Sequence, residues 1–225
     1  MAKFVSTITK PKMVIIGAGG IGSWFCPRLA KKLEGDQLAG LSLGDITVFD
    51  PDIVERKNMK HQAFFEGEEG LPKAAIMNHR FGFKMSVSRF DTGNLTAFNW
   101  FVICADNTAV RKIVYEHVEA SKTYSDPDNI RVAKKFIDMR AEGRMLSVFT
   151  YRCELQQLMS SLGQEPESKQ GYSCQLPQDV AVGRVNEAYD VVGGIGMQLL
   201  LDDFRGEEIP DTIMHDVVMP AAIRR

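Results

Sequence analysis

The chain has 225 residues, of which 44% are hydrophobic, and a formal net charge of −2 at pH 7. This size and composition allow one large α/β core, so we expect a single domain over residues 1–225. The small net charge and the lack of a basic cluster argue against nucleic acid or an anionic membrane as a partner. No apolar run reaches the ~18 residues of a membrane span, and residues 1–4 lack the apolar core of a secretory signal, so the expected location is the cytoplasm.

Four cysteines are scattered along the chain, and none belongs to a C-x-x-C pair. Their spacing fits neither a disulfide framework nor the usual zinc site, so we expect reduced thiols. The four are Cys26, Cys104, Cys153 and Cys174.

A short apolar run followed by glycines is the most informative segment of the sequence. Residues Met13–Ile16 have the length and β-branched content of a strand that is buried on both faces. The glycines at Gly17, Gly19, Gly20 and Gly22 permit a tight turn, close approach of a phosphate, and close packing of the next helix on the sheet. The N-terminus of that helix would attract an anion. The pattern predicts a nucleotide-binding unit, which dehydrogenases, methyltransferases and nucleotidyl-transferring enzymes share.

The following residues complete a β-α-β unit. Apolar residues at helical spacing predict a helix that ends near Gly35. Residues 45–50 predict a second parallel strand that ends in Asp50, the place where dinucleotide-binding enzymes bind the ribose hydroxyls. A polar segment over residues 50–62 then offers groups suited to phosphate, metal and ribose, which hydride transfer does not need.

Two charged residues are expected near the glycine loop. Lys73 begins a helix predicted over residues 71–83, where a lysine is disfavoured by the helix dipole unless an anion shares the site. Residues 100–105 predict a buried strand that delivers Asp106 to the carboxyl edge of the sheet, where ligands bind. We therefore expect Asp106 to face the glycine loop, with Asn107 or Thr108 as the cap of the helix that follows from Ala109 to about Ala120.

The remaining residues predict an extension of the sheet. Residues 85–90 alternate as a strand does, and residues 135–139 and 145–151 predict two antiparallel strands. Residues 155–176 are polar and without periodicity, so they predict a loop. A helix over residues 182–204 and a last strand over 213–219 follow.

The predicted fold class is α/β, with a Rossmann-like, mostly parallel sheet, helices on both faces and an antiparallel extension. The nucleotide-binding half covers about residues 12–150, and the crossover loop and the C-terminal helix and strand cover about residues 151–225. Residues 191–196 imitate a second glycine loop, but no clear strand precedes them. They predict close helix packing, with a subunit interface as one candidate place.

Five motifs stand in a fixed order along residues 12–150. They are Gly17–Ser23, Asp50–Asp52, Asn58 with Gln62, Lys73, and Cys104–Asn107. In this order and spacing they resemble the ThiF/MoeB family, the adenylating fold of ubiquitin-activating (E1-like) enzymes and of enzymes that activate sulfur-carrier proteins. The resemblance implies that the C-terminal carboxylate of a small ubiquitin-like protein attacks the α-phosphate of ATP, giving an acyl adenylate and pyrophosphate. It also implies a homodimer.

The resemblance implies roles for individual residues. Asp50 would hold the ribose, Asn58 and Lys73 the phosphates, and Asp106 the Mg²⁺, a metal commonly held by one or two carboxylates plus phosphates. The remaining members of the implied nucleotide site are Asp52, Lys60, His61 and Gln62. In many relatives a cysteine in the crossover loop accepts the activated carboxylate as a thioester or persulfide, which implies this role for Cys174, with Cys153 as second choice.

The chain departs from the family pattern at three points. His61 stands where the family usually has an arginine, with Lys60 beside it; the N-terminus lacks an obvious helix that carries an arginine for the partner's ATP site; and the zinc cysteines of many relatives are missing. These departures leave open a non-catalytic E1-like partner subunit or pseudo-enzyme. An NAD-dependent oxidoreductase is a third hypothesis, against which Lys73 and Asp106 argue. Branches that modify RNA or adenylate small molecules also stay open, because the sequence does not identify the acceptor-binding surface.

Overall fold

The computed structural model describes residues 10–35, 37–38, 40–123, 134–142, 145–162 and 188–216, and the fold is stated for these residues. The strands are β1 (Met13–Ile16), β2 (Ile46–Phe49), β3 (Lys84–Ser86), β4 (Trp100–Ile103), β5 (Lys135–Glu142), β6 (Met145–Thr150) and β7 (Thr212–Asp216). The helices are α1 (Gly20–Glu34), α2 (Lys73–Phe81), α3 (Thr108–Thr123), α4 (Leu155–Ser160) and α5 (Ala188–Phe204).

The strands form one mixed sheet in the order β3-β2-β1-β4-β5-β6-β7. The pairs from β3 to β5 are parallel, and β6 and β7 extend the sheet with antiparallel pairs. From β1 the chain moves to β2 on one side and later to β4 on the other, so the strand order reverses between β1 and β4. The α/β, Rossmann-like prediction with an antiparallel extension is therefore confirmed.

Helices cover both faces of the sheet, so all four residues of β1 are buried. Met13 and Ile15 pack in one apolar cluster with α1, α2 and α5. Val14 and Ile16 point the other way and pack in a second cluster with α3 and α4. None of the described helices has the length and apolar character needed to cross a membrane.

Two glycines of α5 bring this helix close to its neighbours inside the chain. A Cβ on Gly193 would lie 3.6 Å from the backbone nitrogen of Phe25 on α1. A Cβ on Gly196 would collide with the side chain of Met139 on β5. The predicted close packing is confirmed, and for these two glycines it occurs within the chain rather than at a subunit interface.

Two local predictions were wrong. Residues 155–160 form α4 instead of a loop; Leu158 is its one fully buried residue, so the sequence carries little helical periodicity. The strand predicted over residues 85–90 ends at Ser86, because β3 is an edge strand whose Met85 side chain is exposed. Phe90 is buried by another route, as its ring packs against Phe49 with centroids 5.3 Å apart.

Candidate active site

The carboxyl ends of β1 and β4 form the switch point of the sheet. Ile16 and Ile103 lie opposite each other at the ends of these parallel strands. The glycine loop leaves β1 here, and residues 104–107 leave β4 beside it. The N–H of Cys104 donates a hydrogen bond to the Ile16 carbonyl at 2.8 Å. Ligands of open α/β sheets bind in the crevice at such a point.

The backbone geometry of the loop requires two of its glycines. Gly17 has a φ of +95°, and a Cβ there would lie 2.9 Å from the backbone nitrogen of Ala105. A Cβ on Gly22 would overlap the carbonyl oxygen of Gly17. Helix α1 therefore begins tightly against the loop. In the described structure its N-cap, Gly19, makes no side-chain capping bond and its first turn holds no acid, so the N–H groups there are available to an anion.

Tyr189, near the start of α5, lies over this loop. A Cβ on Gly20 would be 2.6 Å from the nearest carbon of the Tyr189 ring. The centroid of the same ring is 6.1 Å from that of His61. The sequence around Tyr189 does not mark it as a site residue; the one signal is Gly20, whose lack of a side chain leaves room for a large neighbour.

The Asp50 carboxylate joins the end of β2 to the glycine loop. Its two oxygens accept hydrogen bonds from the backbone N–H of Ala18 at 2.6 Å and of Asp52 at 2.8 Å. Burial raises the pKa of Asp50, although these bonds and the charge of Lys73 favour its ionised form. Asp50 thus holds the loop in place, and its contact with a ribose stays a prediction.

Lys73 begins α2 as predicted, and the anion beside it is a carboxylate of this chain. Its side chain is 7% exposed, and Nζ lies 3.3 Å from Oδ2 of Asp52. The backbone N–H of Lys73 also donates to the Asp52 carbonyl at 2.9 Å. This pairing explains how a buried lysine is tolerated at a helix N-terminus. It also places one ammonium and one carboxylate next to the carboxyl edge of β2.

Asn58 and Lys60 lie on a short 3₁₀ helix, Asn58–Lys60, in the polar segment after β2. Asn58 is buried, and its Oδ1 accepts a hydrogen bond from the N–H of Glu55 at 2.8 Å. Lys60 is exposed to solvent. Asn58 therefore already shapes its own turn, while the contacts of both residues with phosphate stay predictions.

His61 and Gln62 carry buried polar atoms that lack a hydrogen-bond partner among the described residues. These atoms are Nδ1 of His61 and Oε1 of Gln62. The Gln62 amide nitrogen would be 4.0 Å from a Cβ on Gly19, so this side chain reaches the glycine loop. Burial, together with the charges of Lys73 and Lys57, lowers the pKa of His61. His61 is consequently a neutral ring at pH 7, unlike the arginine usual at this place in the family.

Asp106 is exposed at the carboxyl end of β4, directly after Ala105, the residue that contacts Gly17. The structure thus brings Asp106 to the edge of the sheet that carries the glycine loop. Asn107 caps α3, because its Oδ1 accepts the N–H of Ala109 at 2.9 Å. Within the described residues, no three His, Cys, Asp or Glu side chains gather into a metal site. Mg²⁺ is commonly held by one or two carboxylates plus phosphates, and the exposed carboxylate of Asp106 could supply one of them.

The cysteines divide into three buried thiols and one outside the described residues. Burial raises the pKa of both Cys26 and Cys104, which makes their thiols poor nucleophiles. Cys153, the second choice for an acceptor thiol, is 1% exposed and accepts a hydrogen bond from the Thr212 hydroxyl at 3.7 Å. Cys174, the first choice, lies outside the described residues.

Solved structures of known proteins share this fold. The chain aligns with PaaA at a TM-score of 0.59 and 12% identity, covering 93% of this chain and 61% of PaaA. Alignment with E. coli MccB gives a TM-score of 0.60 and 16% identity, covering 91% of this chain and 60% of MccB. E. coli TcdA, a tRNA N6-threonylcarbamoyladenosine dehydratase, gives 0.56 and 16%, covering 87% of this chain and 86% of TcdA. These likenesses establish the fold, and the chain spans less than two thirds of PaaA and MccB.

Sequence comparison adds a relative and a family. The chain is 35% identical to the adenylyltransferase and sulfurtransferase UBA4 of Yarrowia lipolytica over 63 residues, which are 28% of this chain and 14% of UBA4. The model of the ThiF family matches residues 2–199. Taken with the sheet order and the glycine loop at its switch point, this match shows that the chain belongs to the ThiF family.

Proposed function

We propose that this chain binds ATP with Mg²⁺ at the switch point and adenylates the C-terminal carboxylate of a small ubiquitin-like or sulfur-carrier protein. The observation that carries the proposal is the meeting of three features at one sheet edge. These are the uncapped N-terminus of α1, the buried ammonium of Lys73, and the exposed carboxylate of Asp106. Membership of the ThiF family and the ATP present in a crystal structure of MccB support ATP as the nucleotide.

In the proposed reaction, a carboxylate oxygen of the substrate attacks the α-phosphorus of ATP. A new P–O bond forms, the P–O bond to the β-phosphate breaks, and pyrophosphate leaves with the electron pair. Such transfers depend mainly on positioning and on neutralising the phosphate charges. In this chain the backbone N–H groups of α1 and the ammonium of Lys73 would supply that neutralisation.

The proposed nucleotide site is made of residues that follow three neighbouring strands or begin a helix. The loop after β1 would take the phosphates, Asp50 the ribose, and Asp106 the Mg²⁺, which when bound offsets phosphate charge. The remaining proposed contacts with the nucleotide come from the polar segment after β2 and the start of α2, namely Asn58, Lys60, His61, Gln62 and Lys73, with Asp52 paired to the Lys73 ammonium beside them.

Transfer to a thiol is the proposed second step. The activated carboxyl carbon would pass from the adenylate to the Cys174 sulfur, releasing AMP, if the acceptor is this cysteine as the family resemblance implies. Cys174→Ala should then leave adenylation intact and remove any thiol-linked species seen on a non-reducing gel.

The homodimer and the cytoplasmic location stay predictions. Light scattering on the purified chain tests the homodimer.

The test of adenylation is ATP–pyrophosphate exchange with small proteins that end in Gly-Gly and are encoded next to this chain. Exchange with one of them is expected, and Asp106→Ala should abolish it. Glu116→Ala, which removes an exposed carboxylate from α3, is the matched control and should leave exchange unchanged. Unchanged exchange in Asp106→Ala would contradict the metal role, and binding of NADH in place of ATP would contradict the nucleotide.

A non-catalytic E1-like partner subunit is the second candidate, and one observation favours it. His61 is 9% exposed and its pKa is lowered by burial, which favours the neutral ring, where the family usually has an arginine, so the phosphates would meet one fewer permanent cation. Tight ATP binding without pyrophosphate exchange, across the same set of small proteins, would support this candidate over the enzyme.

A further inference from the structure

A buried ionic cluster links α3 to β5. Asp138 on β5 is fully buried, and its Oδ1 accepts a hydrogen bond from Nε of Arg111 on α3 at 3.1 Å. Its Oδ2 accepts from Nε of Arg140 at 2.7 Å and from the hydroxyl of Tyr115. Arg140 also donates to the carbonyl of Ser161 at 2.9 Å, which ties the cluster to the end of α4.

The cluster lies beside the connection that carries Asp106. Asp138 is the register partner of Ile103, the last residue of β4. Arg111 lies in the first turn of α3, where its backbone N–H donates to the Asn107 carbonyl at 3.3 Å. The Arg111–Asp138 ion pair therefore spans residues 104–107 from the sheet to the helix. The pair therefore opposes movement of the first turn of α3 away from the sheet.

The energetics of the cluster favour a role in geometry over a role in stability. Burying a carboxylate with two guanidinium groups carries a desolvation cost, and well-packed apolar residues of similar volume often stabilise such a place equally well. Burial alone would raise the pKa of Asp138, but Arg111, Arg140 and Tyr115 outweigh this effect and the pKa lies below its usual value. The ionised carboxylate therefore persists, and its directional bonds fix distances and angles that apolar packing does not fix.

We propose that Arg111 and Asp138 are positioning residues that hold Asp106 where the nucleotide-bound Mg²⁺ requires it. The ion pair fixes the first turn of α3 against β5, and that turn fixes the end of the 104–107 connection. This inference rests on the proposed ATP·Mg²⁺ site. It assigns to the Arg111–Asp138 pair an effect on metal-dependent ATP binding that neither residue would have as part of the core alone.

The test is ATP binding to the full chain by calorimetry, titrated with Mg²⁺ and repeated in EDTA. Arg111→Gln leaves Asp138 with Arg140 and Tyr115, so the chain should still fold. We expect the half-saturating Mg²⁺ concentration to rise about 10-fold or more, as for partners that orient metal ligands, with ATP affinity in EDTA unchanged. Arg111→Lys, which keeps a cation, should restore part of the loss.

Two comparison variants separate positioning from stability. Tyr115→Phe removes another hydrogen bond to Asp138, one turn further along α3, and should lower the melting temperature without moving the Mg²⁺ dependence. Lys112→Gln, exposed next to Arg111, should change neither quantity. If the half-saturating Mg²⁺ concentration rises in proportion to the loss of melting temperature in both Arg111→Gln and Tyr115→Phe, the inference is overturned. If Arg111→Gln leaves Mg²⁺-dependent ATP binding unchanged, only this inference is overturned. If the wild-type chain binds no ATP, the proposed function is overturned as well.

Discussion

The Asp50 carboxylate accepts a hydrogen bond from the backbone N–H of Ala18 at 2.6 Å, so the end of β2 holds the glycine loop that follows β1. The second oxygen of the same carboxylate accepts the N–H of Asp52. One buried side chain therefore fixes two segments of the proposed nucleotide site relative to each other. The loop is organised by the protein itself, which reduces the ordering that ATP would otherwise have to impose on binding.

The first prediction concerns this carboxylate. Asp50→Ala should leave the Ala18 and Asp52 N–H groups without their acceptor, at a cost of about 1–3 kcal/mol in the free energy of unfolding. Because the loop loses its anchor, ATP affinity measured by calorimetry should fall as well. Asp50→Asn keeps one oxygen acceptor and should lose less of both.

A matched control for this prediction lies outside the site. The Asp91 carboxylate also accepts a backbone N–H, that of Gly93 at 2.9 Å, at the start of a 3₁₀ helix. Asp91→Ala should lower stability by about 1 kcal/mol, as for a lost helix cap, and leave ATP affinity unchanged. Equal losses of ATP affinity in both variants would contradict a specific role for Asp50.

The parallel half of the fold was predictable because its signals are local. The strands β1 and β4 are unbroken apolar runs, and α1 combines helical spacing with glycines at both ends. Helix α4 was missed, because a short helix that buries one residue leaves almost no periodic pattern. The end of β3 was also missed, since alternation does not distinguish an edge strand from the loop that continues it.

The site was predictable in its parts but not in its pairings. The sequence placed Asp50, Lys73 and Asp106 at strand or helix ends, and the structure has them there. It gave no indication that Asp52 pairs with Lys73, or that Arg111 pairs with Asp138, 27 residues away. Such partners are set by how the helices pack on the sheet, which a local pattern does not contain. Tyr189 was missed for the same reason.

The second prediction uses the close approach at Gly22. Its Cβ would overlap the Gly17 carbonyl oxygen, and backbone atoms cannot move aside as the end of a flexible side chain does. Gly22→Ala should therefore lower the free energy of unfolding by about 2–3 kcal/mol, the cost of overpacking, and displace the loop that binds the phosphates. Gly44→Ala, at a glycine whose Cβ would meet nothing within 4 Å, is the control and should leave stability nearly unchanged in urea denaturation.

The third prediction concerns the pair of Lys73 and Asp52. If Lys73 binds phosphate, Lys73→Ala should reduce ATP affinity by about 10-fold, as expected for the loss of one charge-assisted contact of ~1.5 kcal/mol. Asp52→Asn should raise ATP affinity or change it little, because it removes an anion that competes with phosphate for the ammonium of Lys73. Loss of ATP affinity in Asp52→Asn equal to that in Lys73→Ala would show that the intact pair, rather than the free ammonium, is the binding element.

The fourth prediction is a pH dependence that comes from His61. Burial and the charges of Lys73 and Lys57 lower the pKa of His61 in the folded chain, so the unfolded chain binds a proton at a higher pH than the folded chain does. The stability that neutral His61 supports is therefore fully present above the unfolded pKa of ~6.5 and is lost as pH falls toward the folded pKa. Each proton that only the unfolded chain binds lowers the free energy of unfolding by about 1.4 kcal/mol per pH unit.

Urea denaturation between pH 7 and pH 5 measures this loss. His61→Gln should reduce the slope of stability against pH without removing it, because burial also lowers the pKa of His117. His79→Gln is the control: His79 is exposed on α2, so its replacement should leave the slope as in the wild type. A slope that stays the same in His61→Gln would contradict the lowered pKa of His61, because an unshifted ring binds protons equally in the folded and unfolded chains.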